Sequence, residues 1–110
     1  MWWEVKNHLE IKNSQLLVAG TPAADLARKF GTPLYVYNGN RIREVYRKFY
    51  ATIKKHTDLE VRLHYAMKAN YNKEILQLLR KEGAWIDAVS PEECKAALDA
   101  GFQKEKILFT

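Results

Sequence analysis

Tyr65-Ala66-Met67-Lys68-Ala69-Asn70 decides how this chain is read, because it sets a lysine between an alternating apolar run and the start of a helix. Upstream, Leu59, Val61, Leu63 and Tyr65 alternate with Glu60, Arg62 and His64, the period of a strand with two unlike faces. Downstream, Asn72 is placed to cap a helix whose Ile75, Leu76, Leu78 and Leu79 recur at helical spacing. Lys68 is therefore predicted at the carboxyl end of a strand in a βα unit, where parallel α/β folds gather their functional groups. Ala66 and Ala69 flank it with small side chains and leave room for a ligand. A lysine in such a loop is usually a solvated charge, so position alone only nominates it.

The pattern extends in both directions. Residues 9–19 alternate around Lys12-Asn13-Ser14-Gln15, which predicts a β-hairpin with a polar turn. Thr21 is a candidate cap for a short helix with Pro22 at its first position and Gly31 at its end. Residues 34–37 read as a strand, Asn38-Gly39-Asn40 as a turn with Asn40 capping, and a basic helix is predicted from Arg41 toward His56. Beyond the Lys68 unit, Gly83 closes a helix, residues 84–89 make a strand, and Ser90-Pro91-Glu92-Glu93 supplies a cap, an early proline and a capping-box glutamate. Gly101 ends that helix, and residues 107–109 begin a further strand. Alternation at roughly twenty-five residues implies a parallel sheet, open or closed.

Several segments together resemble the pyridoxal-phosphate enzymes with an alanine-racemase-like barrel, and among them the diaminopimelate decarboxylases. Residues 65–70 resemble their cofactor-lysine motif. Gly31-Thr32-Pro33-Leu34-Tyr35-Val36-Tyr37 resembles the first barrel strand, Gly83-Ala84-Trp85-Ile86-Asp87-Ala88-Val89-Ser90 the third, and Ala100-Gly101-Phe102 with Lys106-Ile107-Leu108-Phe109 the fourth. The resemblance implies an α/β fold: residues 26–110 as the first four βα units of a (β/α)8 barrel, and residues 1–25 as the hairpin and lead-in of a separate β-domain. Such barrels run to roughly 250 residues, so a chain of 110 is expected to be the amino-terminal part of a longer enzyme.

The resemblance also implies a chemistry. Lys68 would hold pyridoxal phosphate covalently, which calls for a neutral amine from a side chain whose unperturbed pKa is about 10.4, and burial at a barrel mouth would favour that. Asp87, at the end of the next strand, matches a cofactor-contacting aspartate, and Ala66 would adjoin the cofactor. The competing reading of Asp87 is a loop brace. Glu93 matches an acidic position near the site in some relatives, although its spacing from Ser90 favours a cap. Pro91 stands where many relatives carry glycine. The phosphate cradle, the partner of the pyridine nitrogen, the ring-stacking histidine and the substrate-carboxylate binders are expected outside this chain. The implied activity is decarboxylation of meso-2,6-diaminopimelate to L-lysine by a homodimer. Ornithine, arginine or carboxynorspermidine decarboxylases share these motifs, and a non-catalytic cofactor-binding or regulatory barrel protein is the alternative from another class.

Composition narrows the remaining classes. The net charge of +5 is concentrated between Arg41 and Lys55, where Arg41, Arg43, Arg47, Lys48, Lys54 and Lys55 face Glu44. The stripe of Ile42, Val45, Tyr46, Phe49 and Ile53 marks an amphipathic helix with a solvated outer face, not a nucleic-acid surface. A single cysteine, Cys94, excludes an internal disulfide and a cysteine-based zinc site, and its place beside Ala97 and Leu98 predicts a small core residue. His8, His56 and His64 have no metal-ligand spacing, and His64 is expected to point away from the face of Tyr65. No long apolar run or signal-peptide start is present, so a cytoplasmic protein with a small-molecule substrate and no membrane contact is expected.

Overall fold

Residues 4–110 are described by a computed structural model, and they divide into two compact units, residues 4–41 and 42–110. In the first, β1 (Leu9–Lys12) and β2 (Gln15–Val18) pair antiparallel with Lys12 opposite Gln15. Asn13 and Ser14 both have positive φ, 50° and 59°, as the tight hairpin turn that matches strand twist requires. The chain turns back after β2 into β3 (Thr21–Pro22), so Thr21 pairs with Val18 and Pro22 with Leu17. Thr21 is thus a strand residue and not the predicted cap. Pro22 occupies the cap position of α1 (Ala23–Phe30), which receives no side-chain hydrogen bond. Gly31 ends α1 at φ 81°, its N–H donating to the Ala27 carbonyl at 2.8 Å.

The strand predicted over residues 34–37 is not formed. A strand needs a ladder, and no other segment pairs with these residues among those described. Their side chains are correspondingly exposed, Tyr35 at 87%. α2 (Gly39–Lys54) begins one residue before the predicted cap, because the Asn38 side chain accepts from the Asn40 and Arg41 amides at 3.0 and 3.4 Å. Asn38, not Asn40, is the capping residue.

The second unit is built on a parallel sheet in the order β4 (His64–Ala66), β5 (Trp85–Ala88), β6 (Ile107–Phe109). α3 (Lys73–Lys81) and α4 (Pro91–Asp99) are the crossovers. Strands adjacent in sequence are adjacent in space, the order with which a barrel begins. The described strands form an open sheet. β4 is shorter than the alternation at 59–65 predicts because β5 starts only after Gly83. Trp85 N–H still reaches the Leu63 carbonyl at 2.9 Å, but nothing opposes Leu59, which is 75% exposed.

Met67, Leu76, Ile86, Ala88, Ala97, Ala100 and Phe102 form the core between the sheet and its two helices, with Tyr65, Cys94 and Ile107 packed against it. Both helices start on the predicted caps. Asn72 Oδ1 accepts from the Glu74 amide at 3.0 Å, and Ser90 Oγ from the Glu93 amide at 3.1 Å. Glu93 returns its carboxylate to the Val89 amide at 2.8 Å, one residue earlier than a standard capping box, and is buried there. The basic face of α2 is not wholly solvated. Arg47 holds the Glu82 carboxylate through two hydrogen bonds of 2.5 and 2.8 Å, and Arg43 lies 3.7 Å from it. This pairing holds the Glu82 carboxyl below its ordinary range, chiefly through the Arg47 hydrogen bond.

Candidate functional site

Ile86 and Ala88 are fully buried, which commits one face of β5 to the core. Side chains alternate along a strand, so Asp87 must lie on the other face. The ladder sets Ala66, Asp87 and Leu108 in one row, and Tyr65, Ile86 and Ile107 in the next. Ala66 and Asp87 are therefore neighbours on the face that the core does not use. One register further down, His64 lies opposite Trp85 with ring centroids 5.5 Å apart. As expected, His64 is on the face opposite Tyr65, its Nδ1 3.2 Å from the Ile86 carbonyl. Arg62 covers the Trp85 ring at 4.5 Å and binds Glu60 at 2.9 and 3.1 Å, an arrangement that lowers the Glu60 pKa by hydrogen bonding. That end of the face is occupied by aromatic and paired side chains, whereas the carboxyl end presents Ala66 and Asp87.

Lys68 stands at this carboxyl end, in a single 3-10 turn (Met67–Ala69) that joins β4 to the lead-in of α3. The preceding Met67 is fully buried and fixes the start of the turn. Lys68 itself is exposed, unlike the burial expected at a closed mouth, because no described residue covers this end of the sheet. Its amine has no hydrogen-bond or ion-pair partner among the described residues. Lys68, Ala69, Asn70, Tyr71 and Asn72 line an open cavity of about 270 Å³. Asp87 Oδ1 accepts from Thr110 Oγ1 at 2.8 Å, and the Thr110 amide donates to the Ala88 carbonyl at 3.0 Å. Sequence reading missed Thr110, whose only signal is a hydroxyl residue just past a strand end. It also missed the Tyr65 hydroxyl, which donates to the Asn70 carbonyl at 2.9 Å across the Lys68 turn.

Glu93 does not join this group, since its carboxylate is committed to the β5–α4 connection. Cys94 is half-buried against the core, as predicted. Among the described residues there is no cluster of His, Cys, Asp or Glu able to hold a metal ion, and no helix long and apolar enough to cross a membrane.

Residues 42–110 match the family described as pyridoxal-dependent decarboxylase, pyridoxal binding domain. The chain belongs to this family. Diaminopimelate decarboxylase of Methanothermobacter thermautotrophicus is 45% identical over 95 residues, covering 86% of this chain and 22% of the relative. The crystal structure of diaminopimelate decarboxylase from M. jannaschii superposes with a TM-score of 0.87 at 37% identity, covering 93% of this chain and 24% of that one. A second structure of that enzyme, in co-complex with L-lysine, gives 0.84 at 36% identity, covering 94% of this chain and 24% of the other. The chain thus spans about a quarter or less of the length of the proteins it matches. The residues present suit a pyridoxal group. An unpaired primary amine, methyl-sized neighbours at Ala66 and Ala69, and a carboxylate one strand away are the donor set such a cofactor would meet at this edge.

Proposed function

We propose that the protein carrying this chain decarboxylates meso-2,6-diaminopimelate to L-lysine, and that Lys68 holds pyridoxal phosphate covalently. The observation that carries the reading is the exposed, unpartnered Lys68 at the carboxyl end of β4, one strand from Asp87, in a chain 45% identical to a diaminopimelate decarboxylase. When bound, pyridoxal phosphate supplies the electron sink for the charge left as carbon dioxide departs. The chain's own residues have other tasks. Lys68 tethers the cofactor, Ala66 keeps the row beside it clear, and Asp87, oriented by Thr110, presents a fixed negative charge. Trp85 and Arg62 fill the opposite end of the face.

In the complete protein, residues 1–25 serve as the lead-in of a β-domain and residues 26–110 as the first four βα units of a barrel, with residues 34–37 gaining their ladder there. The setting we infer is a cytoplasmic homodimer, for which sedimentation of the full-length protein is the check. Borohydride reduction followed by peptide mapping is expected to leave the pyridoxyl label on Lys68, and a label on another lysine overturns the assignment. Carbon dioxide release from diaminopimelate should exceed that from ornithine, arginine and carboxynorspermidine. Faster release from one of those three makes the protein a decarboxylase of that substrate, and cofactor binding without release from any of the four favours a regulatory barrel.

A further inference from the structure

A single 3-10 turn has little internal hydrogen bonding to hold it, yet this one carries the lysine at its centre. On the strand side it is fixed by Met67, wholly buried in the core. On the helix side the chain runs through Asn70, whose Oδ1 accepts from the Asn72 amide at 3.0 Å, into the capped start of α3. One contact bridges the two sides: Tyr65, its ring packed against the core, donates its hydroxyl to the Asn70 carbonyl at 2.9 Å. That bond spans Lys68, with the donor three residues before it and the acceptor two residues after. We propose that Tyr65 is the positioning residue of Lys68, closing its turn so that the amine is held where the cofactor must meet it. Ordering the turn in advance lowers the entropy lost on attachment, which raises affinity without any contact to the ligand.

This inference rests on the assignment of Lys68 as the cofactor lysine, and its test separates the two. In the full-length protein, Tyr65→Phe keeps the packed ring and removes only the hydroxyl. Titration of the cofactor-free variant with pyridoxal phosphate, followed by absorbance, should show affinity weakened by about 3-fold to 10-fold, the range of one hydrogen bond. Amide hydrogen exchange at residues 69–71 should accelerate while Trp85–Ala88 exchanges as in the parent. Lys95→Gly, which weakens α4 at an exposed position outside the core by a comparable amount, should leave cofactor affinity unchanged. Unaltered affinity in Tyr65→Phe, or an equal loss in Lys95→Gly, overturns the positioning role. A borohydride label on Lys68 together with unaltered Tyr65→Phe affinity refutes Tyr65 alone, whereas a label elsewhere refutes the Lys68 assignment and this inference with it.

Discussion

Met67→Ala tests whether the Lys68 turn is anchored in the core. Met67 is fully buried, and its cluster includes Ala88, Ala97 and Ala100, which have no side-chain rotamers with which to fill a void. Collapse around the truncated side chain is therefore poor, and the cost should fall in the middle of the large-to-small range, about 3–4 kcal/mol. Met67→Leu, which roughly conserves volume, should cost less than about 1.5 kcal/mol. Unfolding of a large enzyme is seldom two-state, so the measurement is native-state hydrogen exchange at Trp85–Ala88, the strand against which Met67 packs. A loss of that size accelerates exchange on the order of 100-fold to 1,000-fold at about 1.4 kcal/mol per tenfold. Acceleration below about tenfold in Met67→Ala would refute the anchoring argument, because it would mean a cost under about 1.4 kcal/mol, less than half of that expected for a buried side chain whose void cannot collapse.

Three further outcomes are expected. Asp87→Asn keeps an acceptor for Thr110 while removing the charge, so turnover or cofactor absorbance should change at nearly constant melting temperature; normal turnover with lost stability would make Asp87 a loop brace. Glu82 has a folded-state pKa below its unfolded value of about 4.3, so its stabilising contribution is complete above that value and is lost as pH falls through the lower folded pKa. The melting-temperature gap between parent and Glu82→Gln should accordingly hold above about pH 5 and close on acidification, and a pH-independent gap contradicts the Arg47 pairing. The 110-residue chain alone, with unpaired edges on β4 and β6 among the described residues, should self-associate and release no carbon dioxide from diaminopimelate with added cofactor; turnover near 1 per second, ordinary for an enzyme, would show that the rest of the barrel is dispensable.

What could be read in advance was local. The caps at Asn72 and Ser90, the Gly31 stop and the Asn13-Ser14 turn each depend on side chains or backbone freedom within four residues, and each is present. The misplacements arise where residue type allows two outcomes and the backbone chooses. Residues 34–37 have strand composition but no ladder partner, and Thr21 has a capping side chain but is drawn into pairing with Val18 by the turn before it. Asn38 and Asn40 are equally good caps by residue type, and only the start of α2 at Gly39 chooses between them. Tyr65 and Thr110 were invisible as site residues for a related reason. A hydroxyl does not announce its acceptor, and those acceptors lie five and twenty-three residues away.

The candidate site itself was legible because core burial and strand parity leave it no alternative position. Ile86 and Ala88 are buried completely, so a one-residue slip of β5 would put Asp87 into the core and expose both of them. Burying an unpaired carboxylate while exposing two apolar side chains is unfavourable on both counts. The register that avoids it is the one observed, with Ala66 opposite Asp87. On β4 the same logic operates through Tyr65 and Met67, which turn toward the core and leave Ala66 on the outer face, with Lys68 next beyond the strand end. The lysine and the aspartate are thus brought to one edge by apolar residues that take no part in the chemistry. That is why the hydrophobic pattern sets the pair at one edge once the resemblance has singled the two residues out, while the bonds around them required the structure.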